Sequence, residues 1–78
     1  MGRYETYVGV IFGNEVRFVT GIPSRNTAEW KAGGPAKKFS EDYAKNIVFG
    51  LTFNGYTACV MKFLKGMELR NKDSYEVE

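Results

Sequence analysis

Apolar residues along this chain follow two different rhythms. From Tyr4 to Phe12 the run YETYVGVIF is dominated by β-branched and aromatic residues, and a second such run, EVRFVT, follows after Gly13 and Asn14. Side chains of this kind suit a half-buried pleated surface, and a Gly-Asn pair between two such runs reads as a β-hairpin. Two registers compete for it. A two-residue turn pairs Phe12 with Glu15, whereas matching apolar with apolar sets Phe12 beside Val16 and Val10 beside Phe18.

From Ser40 onward the rhythm turns helical. Ala44, Ile47, Val48 and Leu51 recur at i, i+3, i+4 and i+7, which places them on one stripe. Ser40 is a good N-cap, Glu41 and Asp42 suit the positive end of a helix dipole, and Phe39 precedes the cap as a hydrophobic staple. Asn54-Gly55 supplies a left-handed stop, so the helix is expected to run to about Phe53. Next, YTACVMKFL alternates two apolar sets, Tyr56, Ala58 and Val60 against Cys59, Met61 and Phe63. That is the pattern of a strand covered on both faces, and it is placed centrally in the sheet.

The segment between, from Gly21 to Lys38, is too long for a structureless loop in a compact domain. A short third strand is expected near Ala28 to Ala32, turning at Gly33-Gly34. After Gly66 the polar remainder predicts a short edge strand near Met67 to Arg70, with fraying over residues 71–78. The pattern as a whole predicts one α+β domain spanning residues 1–78. Its architecture is an antiparallel sheet of three to four strands with one helix packed across it, in the order ββ(β)αβ.

Two residues of the helix do not fit its stripe. At about 100° per residue, Phe49 and Phe53 lie roughly 140° to 180° from Ala44, among Asp42, Lys45 and Asn46. A helix docked by its stripe leaves these rings, one turn apart, in water. Either the third strand or the C-terminal tail folds over them, with Trp30 or Tyr75 as a lid, or they form a surface for a protein partner or a second copy of the chain. On the second reading Phe49, Phe53 and Lys45 are the partner-binding residues.

Length and charge narrow the function classes. A 78-residue unit buries only about 60% of its unfolded surface and holds a single core. Eleven Lys and Arg against nine Asp and Glu leave a net charge of +2, far from the excess of a domain built to neutralise phosphates. Nucleic acid retains one foothold, the segment carrying Arg25, Trp30, Lys31, Lys37 and Lys38, where cations and an aromatic ring suit a strand's phosphates and bases. No run of about 18 apolar residues is present, and the start MGRYETYVG lacks a signal peptide's apolar segment, so a cytoplasmic protein without membrane attachment is expected. Cys59 is the only cysteine and cannot form an internal disulfide; in an alternating strand it reads as a core residue.

Catalytic chemistry finds few footholds. Without histidine, Ser-His-Asp and Cys-His hydrolysis are excluded in their usual form, and one cysteine cannot build a tetrahedral zinc site. GGPAKK, from Gly33 to Lys38, lacks the spacing of a phosphate-binding loop and reads as a turn. The carboxylates are scattered, and the adjacent pair Glu41-Asp42 is explained by the helix start. The expectation is a protein that is not an enzyme and uses no cofactor and no metal.

The stretch FSEDYAKNIVFGLTFNGYTACV, Phe39 to Val60, resembles one half of a SPOR-type peptidoglycan-binding repeat. The resemblance covers 22 residues and implies only the local course, a capped helix leading through a Gly-aromatic turn into a strand; no ligand or binding residue is carried over. In size and composition the whole chain resembles the compact α+β proteins of phages and mobile elements, many of which act by occupying the surface of a host protein. That likeness implies a protein-interaction module that binds and inhibits a host protein. The alternative is a small nucleic-acid-binding module using residues 25–38.

Overall fold

In the computed structural model, which describes residues 2–21 and 29–71, the chain forms β1 (Tyr4–Phe12), β2 (Glu15–Phe18), α1 (Glu41–Phe53) and β3 (Thr57–Leu64). The sheet is antiparallel, in the order β2-β1-β3, and α1 packs across one face. The expected α+β architecture is therefore present, with three strands among the described residues.

Turn geometry decides the hairpin register. Phe12 pairs with Glu15, Ile11 with Val16 and Val10 with Arg17, around the two-residue turn Gly13-Asn14 in which Gly13 adopts φ +60°. A positive φ is open to glycine at no steric cost, so the tight turn forms without strain. Phe12 loses its apolar cross-strand partner but meets Trp30 and Tyr56 edge-to-face, with ring centroids 5.2 and 6.2 Å away. The Arg17 guanidinium lies 4.5 Å over its ring.

The central strand is β1, not the last strand. β1 pairs with β2 along one edge and with β3 along the other, from Tyr4 opposite Leu64 to Ile11 opposite Thr57. The two-sided apolar alternation of β3 has a different cause: α1 covers one face, and on the other Phe63 packs edge-to-face against Tyr7 of β1 and Phe18 of β2. Alternation reports cover above and below a strand and is silent about its edges.

Two further expectations change. Ala28 lies outside the described residues, and Glu29 to Ala32 form no strand; the chain turns there, with the Gly34 N–H donating to the Lys31 carbonyl at 3.0 Å. Met67 to Arg70 contribute one isolated bridge, Arg70 opposite Pro35, in place of an edge strand. Asn71, buried at 4% exposure, ties this region to β2. Its Oδ1 accepts from the Phe18 N–H at 2.6 Å, and its Nδ2 donates to the carbonyls of Phe18 and Lys31 at 2.9 and 3.1 Å. Residues 72–78, including Tyr75, lie outside the described residues.

The core sits between α1 and the sheet and consists of Val8, Val10, Val19, Ala44, Ile47 and Leu51, flanked by Trp30, Phe39, Val48, Tyr56 and Val60. Burying one such aliphatic side chain contributes about 1.5–3 kcal/mol. On the opposite face, Tyr7, Phe18 and Phe63 meet edge-to-face with centroids 5.9 to 6.4 Å apart. Gly9 leaves the middle of that face low. A Cβ there would lie 2.6 Å from Met61 Sδ and 3.0 Å from Val16 Cγ1, so both side chains close over a backbone that has none.

Candidate interaction surface

The helix ends fix how α1 presents its outer side. Ser40 Oγ accepts from the Tyr43 N–H at 3.3 Å, and Phe39 packs its ring on Tyr43 at 5.6 Å between centroids. At the other end the Tyr56 N–H donates to the Leu51 carbonyl and the Gly55 N–H to the Thr52 carbonyl, both at 3.0 Å, which is the Schellman arrangement. The Phe39 N–H also donates to the Thr6 carbonyl at 2.9 Å, so the entry to the helix is anchored on β1. Held at both ends, α1 turns Ala44, Ile47 and Leu51 inward.

Glu41, Lys45, Phe49 and Phe53 then form one row at i, i+4, i+8 and i+12, each step turning about 40° further from the sheet. The row begins beside β3, where Glu41 Oε2 forms ion pairs with Lys62 Nζ at 3.3 Å and Lys45 Nζ at 3.8 Å. It ends on the far side. Phe49 is 74% exposed and Phe53 79%, so the two rings stand in water as their offset from the apolar stripe requires. Trp30 is not their lid: it packs between Phe12 and Tyr56, 5.2 and 5.7 Å from their centroids.

The basic segment is less uniform. Arg25 lies outside the described residues. Trp30 is half-buried against the core. Lys31 is exposed, and its carbonyl and that of Val19, which accepts from the Lys37 N–H at 2.9 Å, help join this segment to the sheet. Lys38 reaches across to Glu5, its Nζ 3.1 Å from Oε2. The ring and one of the cations thus have partners within the chain.

Sequence reasoning missed the cluster around that last pair. Tyr7 donates its hydroxyl to Glu5 Oε1 at 3.1 Å, so both carboxylate oxygens are occupied. The Lys38 hydrogen bond holds the Glu5 carboxyl below its ordinary value, burial raises the Tyr7 phenol, and Glu5 raises the Lys38 ammonium. A carboxylate so placed is a poor proton acceptor near neutrality. The cluster borders a shallow cleft of about 260 Å³ that Pro35, Met67 and Leu69 also line. The only signal in the sequence was the spacing Glu5-x-Tyr7, which puts both on one face of a strand.

Among the described residues no group of three or more Cys, Asp or Glu is placed to hold a metal ion, and no helix is long and apolar enough to cross a membrane. No protein-family model, curated protein or solved structure matches this chain, so the reading of its function rests on its own residues.

Proposed function

We propose that this chain is a protein-binding module that engages its partner through the outer end of α1, with Phe49 and Phe53 as anchors and Lys45 at their polar rim. The observation that carries this reading is the exposure of both rings, 74% and 79%, one turn apart on a helix whose opposite stripe is buried. Adjacent exposed aromatics within a polar surround are what protein interfaces use as anchors. A non-catalytic role accords with the Glu5 cluster, whose polar groups satisfy one another. The narrower form is a phage-type protein that covers and inhibits a host protein, and the identity of the captured partner tests it.

The test compares the wild-type chain with the Phe49→Ser/Phe53→Ser variant as immobilised bait in extract of the source cell, with circular dichroism on both. The reading expects a folded variant that no longer retains the wild-type partner. Equal retention by both chains, or a variant that unfolds because its rings were core residues, overturns it.

A further inference from the structure

The two edges of the sheet are treated differently by the chain. At β2, the Phe18 backbone is paired on both its groups by Asn71, and just past the strand the Val19 carbonyl accepts from the Lys37 N–H at 2.9 Å and the Thr20 N–H donates to the Glu29 carbonyl at 2.7 Å. Among the described residues β3 has no such cover. The Arg3 carbonyl accepts from the Lys65 N–H at 2.8 Å, whereas the carbonyls of Thr6 and Val8 accept from Phe39 and Val19 on the other side. Backbone groups alternate in direction along a strand, so odd-numbered residues of β1 face β3. With Tyr7 opposite Met61 and Gly9 opposite Cys59, the odd residues of β3 face inward. Ala58, Val60 and Lys62 therefore direct N–H and C=O away from the sheet, and among the described residues nothing bonds to them.

Chains usually blunt such an edge with proline, a bulge or several charges. Here TACVMKFL has one charge, Lys62, and Glu41 already neutralises it at 3.3 Å.

We propose that the open edge of β3 pairs antiparallel with β3 of a second copy, giving a two-fold dimer with one continuous sheet. This names a partner for the binding module proposed above, yet stands on backbone groups rather than on the two rings. Centring the pair on Val60 uses the outward groups of all three residues: Val60 faces the partner's Val60, and Ala58 faces the partner's Lys62. No like charges are opposed. Antiparallel pairing puts the two-fold axis perpendicular to the sheet, so both helices lie on the same face and run in opposite directions. Each helix then turns toward its mate the flank that begins at Glu41 beside β3. The acidic start of each row approaches Lys45 of the other, a complementary arrangement of charge that leaves Phe49 and Phe53 on the outer side.

Lys62→Pro tests this directly. The Lys62 N–H points away from β1, so proline removes a docking donor without removing a bond inside the chain; Lys62→Ala loses the same ion pair and keeps the donor. Sedimentation equilibrium is expected to give twice the chain mass for wild type and Lys62→Ala and the single mass for folded Lys62→Pro. Amide hydrogen exchange on wild type gives a second readout independent of any variant. Ala58, Val60 and Lys62 are expected to be protected together with Cys59 and Met61, and to lose that protection on dilution. A wild type that stays monomeric, a dimeric Lys62→Pro, or free exchange at the even positions while the odd ones are protected overturns the inference. If β3 dimerisation fails while Phe49→Ser/Phe53→Ser still abolishes capture of another protein, the binding-module reading stands alone. If the dimer forms and capture is unaffected by that variant, only the dimer stands.

Discussion

Lys38 Nζ stands 3.1 Å from Glu5 Oε2 and joins the segment leading into α1 to the start of β1, 33 positions away in sequence. Because Lys38 holds the Glu5 carboxyl below its ordinary 4.5, this contact contributes stability that is present above that value and is lost as pH falls through the lowered one. The Lys38 side has the opposite sign: its contribution is complete below 10.5 and disappears as pH rises through the raised value. Glu5→Gln is expected to flatten both limbs. Urea midpoints measured across pH check this, and a variant whose acid limb matches wild type contradicts it.

The exposed rings and the buried stripe of α1 separate by energy. Leu51, 2% exposed, is expected to lose about 2–5 kcal/mol on replacement by alanine. Phe49→Ser and Phe53→Ser should each fall within about 0.5 kcal/mol of wild type, as surface substitutions do. Denaturant unfolding monitored by circular dichroism distinguishes the two outcomes.

Asn71 is the polar clamp on β2. Asn71→Ala leaves the Phe18 N–H and C=O without the side chain that pairs them, and a loss of about 1–3 kcal/mol is expected. The same variant uncovers the β2 edge, so its solubility on concentration, read by light scattering, should fall as well.

Gly9→Ala should destabilise by about 1–3 kcal/mol through overpacking, since its methyl group would press on Met61 and Val16. The cost is expected to shrink in a Met61→Ala background, where one obstruction is gone. A double-mutant cycle measures this coupling, and simple additivity would show that the two side chains do not compete for that space.

How much of this was legible in the sequence depended on the range of the interaction. Both ends of α1 were, because Ser40, Asn54 and Gly55 act on backbone groups within a few residues. The outward position of Phe49 and Phe53 followed from helical spacing alone. The hairpin register had two local answers, and the turn prevailed because Phe12 found Trp30 and Tyr56 as ring partners elsewhere in the fold. Which strand is central was not legible, since β1 and β3 carry similar apolar runs and only long-range pairing tells them apart. Asn71 was invisible for the same reason: its partner Phe18 is 53 positions away, and nothing in a polar tail marks one asparagine as buried. The Glu5, Tyr7 and Lys38 cluster likewise needs the helix approach laid over β1 before its members meet.

Because Asn71 pairs both backbone groups of Phe18, a strand arriving at the β2 border has to displace that side chain before it can bond there, whereas among the described residues nothing stands in its way at β3. In the dimer proposed above, a twin molecule takes up the β3 border of each partner and leaves the clamped β2 border facing outward. Growth past such a pair would have to begin at the clamped border, which disfavours the fibre that a ribbon open on both sides would seed.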